Sequence, residues 1–103
     1  MKIADLITPG RILTGLKASS KKQCLDMLAH HAAASTGIPE DAIGAALRRR
    51  EALGSTGIGS GVAMPHAPMR SLTAPFALLA CLARPVDFEA VDGEPVDILC
   101  LIL

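Results

Sequence analysis

Apolar residues recur at helical spacing in two stretches of the chain. Leu25, Leu28, Ala29 and Ala32 fall at i, i+3, i+4 and i+7, which marks one buried stripe of a helix. Ser20-Lys21-Lys22-Gln23 just ahead fits a capping box, in which the serine hydroxyl meets a free N–H and the glutamine reaches back. Gly37 supplies the stop and Pro39 follows it. Pro39-Glu40-Asp41 opens a second helix, with acids in its first turn to complement the helix dipole. Its stripe is Ile43, Ala46 and Leu47; three arginines follow, and Gly54 ends it.

Elsewhere the period is not helical. Met1 to Thr8 reads as one helical turn or a short strand, Thr8-Pro9-Gly10 as a turn, and Ile12 to Leu16 as a strand. Gly57 to Met64 sets four Gly or Ser residues among Ile58, Val62 and Met64, which predicts a strand that hugs neighbouring backbone, with a bulge. Phe76 to Ala83 and Val96 to Leu103 are apolar at both parities, so each is predicted to be a strand covered on both faces. Asp92-Gly93 between them is a turn signal. A domain rarely ends inside a fully buried strand. The run Val96 to Leu103 therefore predicts a truncated chain, or a strand covered by another subunit, and as an exposed apolar terminal strand it predicts self-association.

Composition narrows the function classes. The 103 residues suit one domain over 1–103, and half of them are hydrophobic. With two Phe and no Tyr or Trp, the core has to be built from Leu, Ile, Val, Ala and Met. Ten basic residues balance ten acidic ones, which leaves no basic stripe for nucleic acid, and the missing aromatics leave no platform for stacking bases. Cys24, Cys81 and Cys100 sit far apart in apolar stretches and read as packing residues in a reducing compartment. Met1 to Thr8, with Asp5 inside it, is no signal peptide, and Pro or charge breaks every apolar run well short of a membrane span. The expectation is a soluble, cytoplasmic protein. His30 and His31 lie off the helix stripe as a solvated pair without metal-ligand spacing, and no cofactor is expected.

The segment richest in chemistry is Gly54-Ser55-Thr56-Gly57-Ile58-Gly59-Ser60-Gly61-Val62-Ala63-Met64-Pro65-His66-Ala67. No Gly-Lys-Ser/Thr closes it as in a Walker A loop, and a helix precedes it while none follows, unlike a dinucleotide fingerprint. An imidazole is a competent nucleophile near neutral pH and can divide one transfer into two through a covalent intermediate. Pro65 stiffens the backbone before His66 and Ala67 leaves its ring uncrowded, which suits a histidine presented at a surface. A loop histidine without a role has the same neighbours. Among Arg48, Arg49 and Arg50, only Arg50 aligns with the packed stripe, at i+7 from Ile43. There it needs an anion or acceptor. A phosphoryl group matches its planar fork, and so do the helix C-terminal carbonyls or a carboxylate. The Ser55-Thr56-Gly57 turn offers hydroxyl and N–H donors to a phosphoryl group, or is a plain connection from helix to strand, the reading preferred for Ser60.

Arg50-Glu51-Ala52-Leu53-Gly54-Ser55-Thr56-Gly57-Ile58-Gly59, followed by Gly61-Val62-Ala63-Met64-Pro65-His66-Ala67, resembles the signature of the type-2 enzyme IIA domains. These are the fructose, mannitol and nitrogen-branch components of the bacterial phosphotransferase system. The likeness extends to the early strand, the two helices and the segment from Val86-Asp87-Phe88 to Asp92-Gly93-Glu94-Pro95-Val96. The opening of the first helix, Ser19-Ser20-Lys21-Lys22, is most similar to the nitrogen-branch regulatory members.

The resemblance implies an α/β sandwich, a mixed sheet flanked by helices, truncated here after a central strand. Family members add helices and a second active-site histidine beyond the strand that matches Val96 to Leu103. It also implies that His66 is phosphorylated, as a phosphotransferase intermediate, and that Arg50 supports the phosphoryl group. The donor would be HPr or its nitrogen-branch counterpart. The acceptor would be an enzyme IIB domain in transport members. In nitrogen-branch members, phosphorylation would instead regulate other proteins, potassium-transport regulators among them. Two other readings use the same residues: a non-catalytic regulatory module that reports nutrient state through His66, and a truncated domain kept for association.

Overall fold

The computed structural model describes residues 9–103. The sequence reading of Met1 to Thr8 lies outside them. A 3-10 turn at Pro9–Arg11 leads into β1 (Ile12–Leu16). Helix α1 (Lys21–Thr36) starts at the expected cap, where the Ser20 hydroxyl accepts the Gln23 N–H at 3.1 Å. The return bond is displaced by one residue, because Gln23 Oε1 accepts the Ser19 N–H at 2.8 Å. Gly37, at φ 78°, closes the helix by giving its N–H to the Ala33 carbonyl, a left-handed cap that glycine adopts without steric cost. Cys24, Leu25, Leu28, Ala29 and Ala32 are buried along the predicted stripe. Helix α2 (Glu40–Ala52) buries Ile43, Ala46 and Leu47, and Glu51 with them.

The region after Gly54 departs from the expected single strand. It folds back as a hairpin, β2 (Gly57–Gly59) antiparallel to β3 (Val62–Ala63). Ser60 and Gly61 have φ of 56° and 79°, the left-handed pair that a tight turn between twisted strands requires. The expected close backbone approach is present, since a Cβ on Gly57 would lie 2.8 Å from the Ala90 Cα.

Strands β4 (Ala77–Val86) and β5 (Val96–Ile102) complete a mixed five-stranded sheet in the order β1-β4-β5-β3-β2. β1 runs parallel to β4 and β3 parallel to β5, whereas β4 and β5 are antiparallel. Leu78, Ala80, Leu82, Leu99 and Leu101 point to one face and join the helix stripes in a single buried cluster. The other face is thinner. Leu79 and Cys81 are half-buried and Ile98 is 37% exposed. Cover on both faces, as the two apolar runs predict, is therefore complete on one side only, where α1 and α2 pack together. β5 also lies inside the sheet, with β4 along one edge and β3 along the other. This pairing leaves β5 no free edge, while its thinner face keeps Ile98 exposed.

Two substitutions separate capping from packing. Ser20→Ala removes one cap bond and should lower stability by about 0.5–2 kcal/mol. Leu28→Ala empties a fully buried position and should cost about 2–5 kcal/mol. Urea unfolding of both variants checks the order, with Leu28→Ala showing the lower midpoint.

Candidate functional site

The end of α2 and the β3–β5 pairing bring the site together. His66 follows β3 and continues its parallel alignment with β5, forming a bridge to Ile102. The Ile102 N–H donates to the Pro65 carbonyl at 3.0 Å, and the Ala67 N–H donates to the Ile102 carbonyl at 3.2 Å. Pro65 and Ala67 are buried while His66 between them is exposed. The alternation is that of a strand, so a rigid backbone presents the ring outward.

The ring is oriented at both nitrogens. Nδ1 lies 2.9 Å from the Met64 carbonyl. A carbonyl only accepts, so Nδ1 carries the proton. On the far side, the Arg50 Nε–H donates to Nε2 at 3.2 Å. A guanidinium only donates, so Nε2 holds the lone pair. Arg50 also gives an Nη1 proton to the Gly54 carbonyl at 2.8 Å, which fixes its plane. The helix-end alternative for Arg50 is therefore present in the structure, and the same side chain also reaches the histidine. Arg48 and Arg49 are exposed, and Arg48 pairs with Asp26 at 3.3 Å.

The hydroxyls of Ser55 and Thr56 are engaged within the fold. Ser55 Oγ donates to the Phe88 carbonyl at 2.6 Å and accepts the Gly57 N–H at 3.0 Å. Thr56 is 3% exposed, and its hydroxyl and N–H both donate to the Glu51 carboxylate, at 2.5 and 3.0 Å. Lys21 Nζ completes that group at 2.8 Å from Glu51 Oε2, and it also reaches Glu89 at 3.3 Å. Burial alone would push the Glu51 carboxyl up. The Lys21 and Thr56 hydrogen bonds outweigh it, and the net position is below the ordinary value of 4.5. The helical wheel contains a signal for this group, because Glu51 stands at i+4 from Leu47 and i+8 from Ile43. The rule that singles out Arg50, a charge on a packed stripe that needs a partner, applies equally to Glu51.

The other polar candidates stand apart. His30 Nδ1 is 2.9 Å from Glu40, and its ring meets that of His31 edge-on. All three cysteines are free thiols. Burial pushes Cys24 up to about 11 and raises Cys100 as well, so neither is a thiolate at neutral pH. Among the described residues, no helix is long and apolar enough to cross a membrane.

The family model for "Phosphoenolpyruvate-dependent sugar phosphotransferase system, EIIA 2" matches residues 5–103. The chain belongs to this family. A nitrogen regulatory protein of Bradyrhizobium diazoefficiens is 50% identical over 103 residues, covering 100% of this chain and 67% of that protein. The nitrogen regulatory protein IIA-Ntr of Neisseria meningitidis superposes with a TM-score of 0.91 at 28% identity, over 98% of this chain and 69% of that one. The fold also matches enzyme IIAMTL of Escherichia coli, solved in complex with phosphorylated enzyme IIBMTL, with a TM-score of 0.79 at 16% identity, over 93% of this chain and 68% of that one. The chain thus spans about two thirds of the length of these relatives. The enzyme IIA family to which it belongs is a phosphotransfer component.

The depressed carboxyl of Glu51 sets a pH dependence. The unfolded chain holds this proton more tightly than the folded one. The stabilisation is therefore complete above the unfolded carboxyl's range and is lost as pH falls through the folded-state value, below 4.5. Thermal melts between pH 7 and pH 3 should show a shallower acid limb for Glu51→Gln than for the wild type.

Proposed function

We propose that this chain is a phosphocarrier that accepts a phosphoryl group on His66 Nε2 from an HPr-type protein or its nitrogen-branch counterpart. The observation that carries the reading is an exposed imidazole with its proton held on Nδ1 and its lone pair turned toward a guanidinium. In the transfer, Nε2 attacks phosphorus in line. The bond from phosphorus to the donor imidazole breaks as the new Nε2–P bond forms. The donor ring, protonated on its other nitrogen, leaves neutral, and the His66 ring takes over that positive charge. The Met64 carbonyl then accepts from a cationic N–H, a stronger bond than before. Arg50 exchanges its contact with the bare ring for contacts with phosphoryl oxygens, whose geometry its fork matches. Positioning and charge stabilisation account for most of the rate, as is usual for this chemistry. Ser55 and Thr56 support the phosphoryl group by holding the loop rather than by direct contact.

A depression lined by Ala46, Arg49, Arg50, Leu53, Ala67 and Pro68 includes the arginine that contacts the ring and the residue that follows His66. Leu53 is 85% exposed on its rim, a large apolar side chain at the place where a visiting protein would sit. Onward transfer to an enzyme IIB domain is the transport reading. Identity of 50% to a nitrogen regulatory protein favours the regulatory one, in which phosphorylation in the cytoplasm modulates partners such as potassium-transport regulators.

Incubation with phosphoenolpyruvate and the general donor proteins tests this directly. The wild type should take up acid-labile phosphate and His66→Ala none; uptake by His66→Ala at wild-type stoichiometry would refute the assignment. Arg50→Ala should slow uptake by about 10²–10³-fold, the range for losing a donor aimed at developing charge. Leu53→Asp should raise the KM for the donor protein roughly tenfold with little change in kcat, because it removes docking area without touching the reacting atoms.

A further inference from the structure

Glu51 is the buried charge that the transfer chemistry does not use. Its carboxylate is 6% exposed and collects three donors: Lys21 Nζ, the Thr56 hydroxyl and the Thr56 N–H. The bonds do not stop there. The Thr56 carbonyl accepts the Met64 N–H at 2.9 Å, and the Met64 carbonyl accepts the His66 Nδ1 proton at 2.9 Å. On its other side, Glu51 follows Arg50 in the last turn of α2, and its carbonyl accepts the Gly54 N–H at 3.2 Å. The two arms of the site therefore both lead back to Glu51, the imidazole through its carboxylate and the guanidinium through Gly54 and its backbone carbonyl.

We infer that Glu51 is a positioning residue: through Thr56 and Met64 it fixes which nitrogen of His66 carries the proton and where that ring stands relative to Arg50. The inference rests on the reading of His66 as the phosphoryl acceptor. Its physical content is separate from that reading. Ring orientation depends on where the Met64 carbonyl lies, and that carbonyl hangs from a loop whose anchor is a buried anion. With the anchor neutralised, one of its two acceptor oxygens becomes a donor, the Lys21 charge loses its counter-charge, and the loop between α2 and β2 loosens. Nδ1 then has a poorer acceptor. The tautomer with the proton on Nε2, which cannot attack, gains population. Second-sphere partners of this type act by fixing tautomer and ring angle rather than by touching the substrate.

The test uses the full chain with nitrogen-15 in its histidine rings. Long-range proton–nitrogen NMR reads the His66 tautomer without any phosphate present. Phosphate uptake from a phosphorylated HPr-type donor is measured alongside it. Glu51→Gln keeps the side-chain size. It should raise the share of the Nε2–H form and lower kcat by about 10–100-fold, with the KM for the donor within about twofold. Thr56→Val should reproduce both effects in part, and Thr56→Ser, which keeps the hydroxyl, should return the wild-type tautomer and kcat, which a mere loss of packing would not do. The Thr56 pair also decides the matter if Glu51→Gln fails to fold. Folded variants with the wild-type tautomer ratio and wild-type kcat would overturn the inference. A shifted tautomer in a protein whose wild type takes no phosphate would leave the inference standing and remove the proposed function. Normal uptake with an unmoved ring would do the reverse.

Discussion

One hydrogen bond, from His66 Nδ1 to the Met64 carbonyl, decides what the site can do. An unconstrained imidazole divides its proton between two nitrogens. Here a fixed acceptor two residues earlier in the chain claims it, and the nucleophilic lone pair is left on the outward nitrogen. That bond in turn requires a backbone that does not move. Residues 65 and 67 are pinned to Ile102 on one side, and residue 64 is pinned to Thr56 on the other. The exposed ring thus stands on a segment held across the sheet and across the hairpin at once.

The electrostatic layout is economical. Arg50 and Glu51 are consecutive, yet they serve opposite environments, because Glu51 turns into the protein and Arg50 lies at its margin. A buried carboxylate without partners would be costly. Lys21, at the start of the other helix, supplies the compensating charge and ties α1 to the end of α2. The same pair that satisfies the core therefore also fixes the relative placement of the two helices beside the histidine.

Much of this was legible in the residues. The stripe periodicity located both helices, and Ser20 and Gly37 marked the ends of the first. The wheel position of Arg50 foretold a partner on the packed side, and His66 is exposed as its neighbours suggested. What stayed hidden was tertiary. Gly57 to Met64 looked like one strand because a two-residue turn built from Ser60 and Gly61 has the same composition as a bulge. For Ser55 and Thr56 the choice between phosphoryl donors and a plain connection stayed open, because hydroxyls do not reveal which acceptor they will find, and here the acceptors are Phe88 and Glu51. β5 is the central strand that the resemblance implied, but its neighbours could not be read from Val96 to Leu103 alone, because strand order is not a local property. Its neighbours, β4 and β3, are set by pairing across the whole chain.

That strand order has a consequence for how the molecule is made. Among the described residues, β1 and β4 form one side of the sheet, β3 and β2 the other, and β5 joins them. It is also the last of the five to leave the ribosome. Until it inserts, the two halves share no ladder, and Pro65 and Ala67 lack the Ile102 partners that hold the histidine outward. A nascent chain that has already translated position 66 therefore carries this histidine without its folded geometry, which forms only once β5 has emerged and paired.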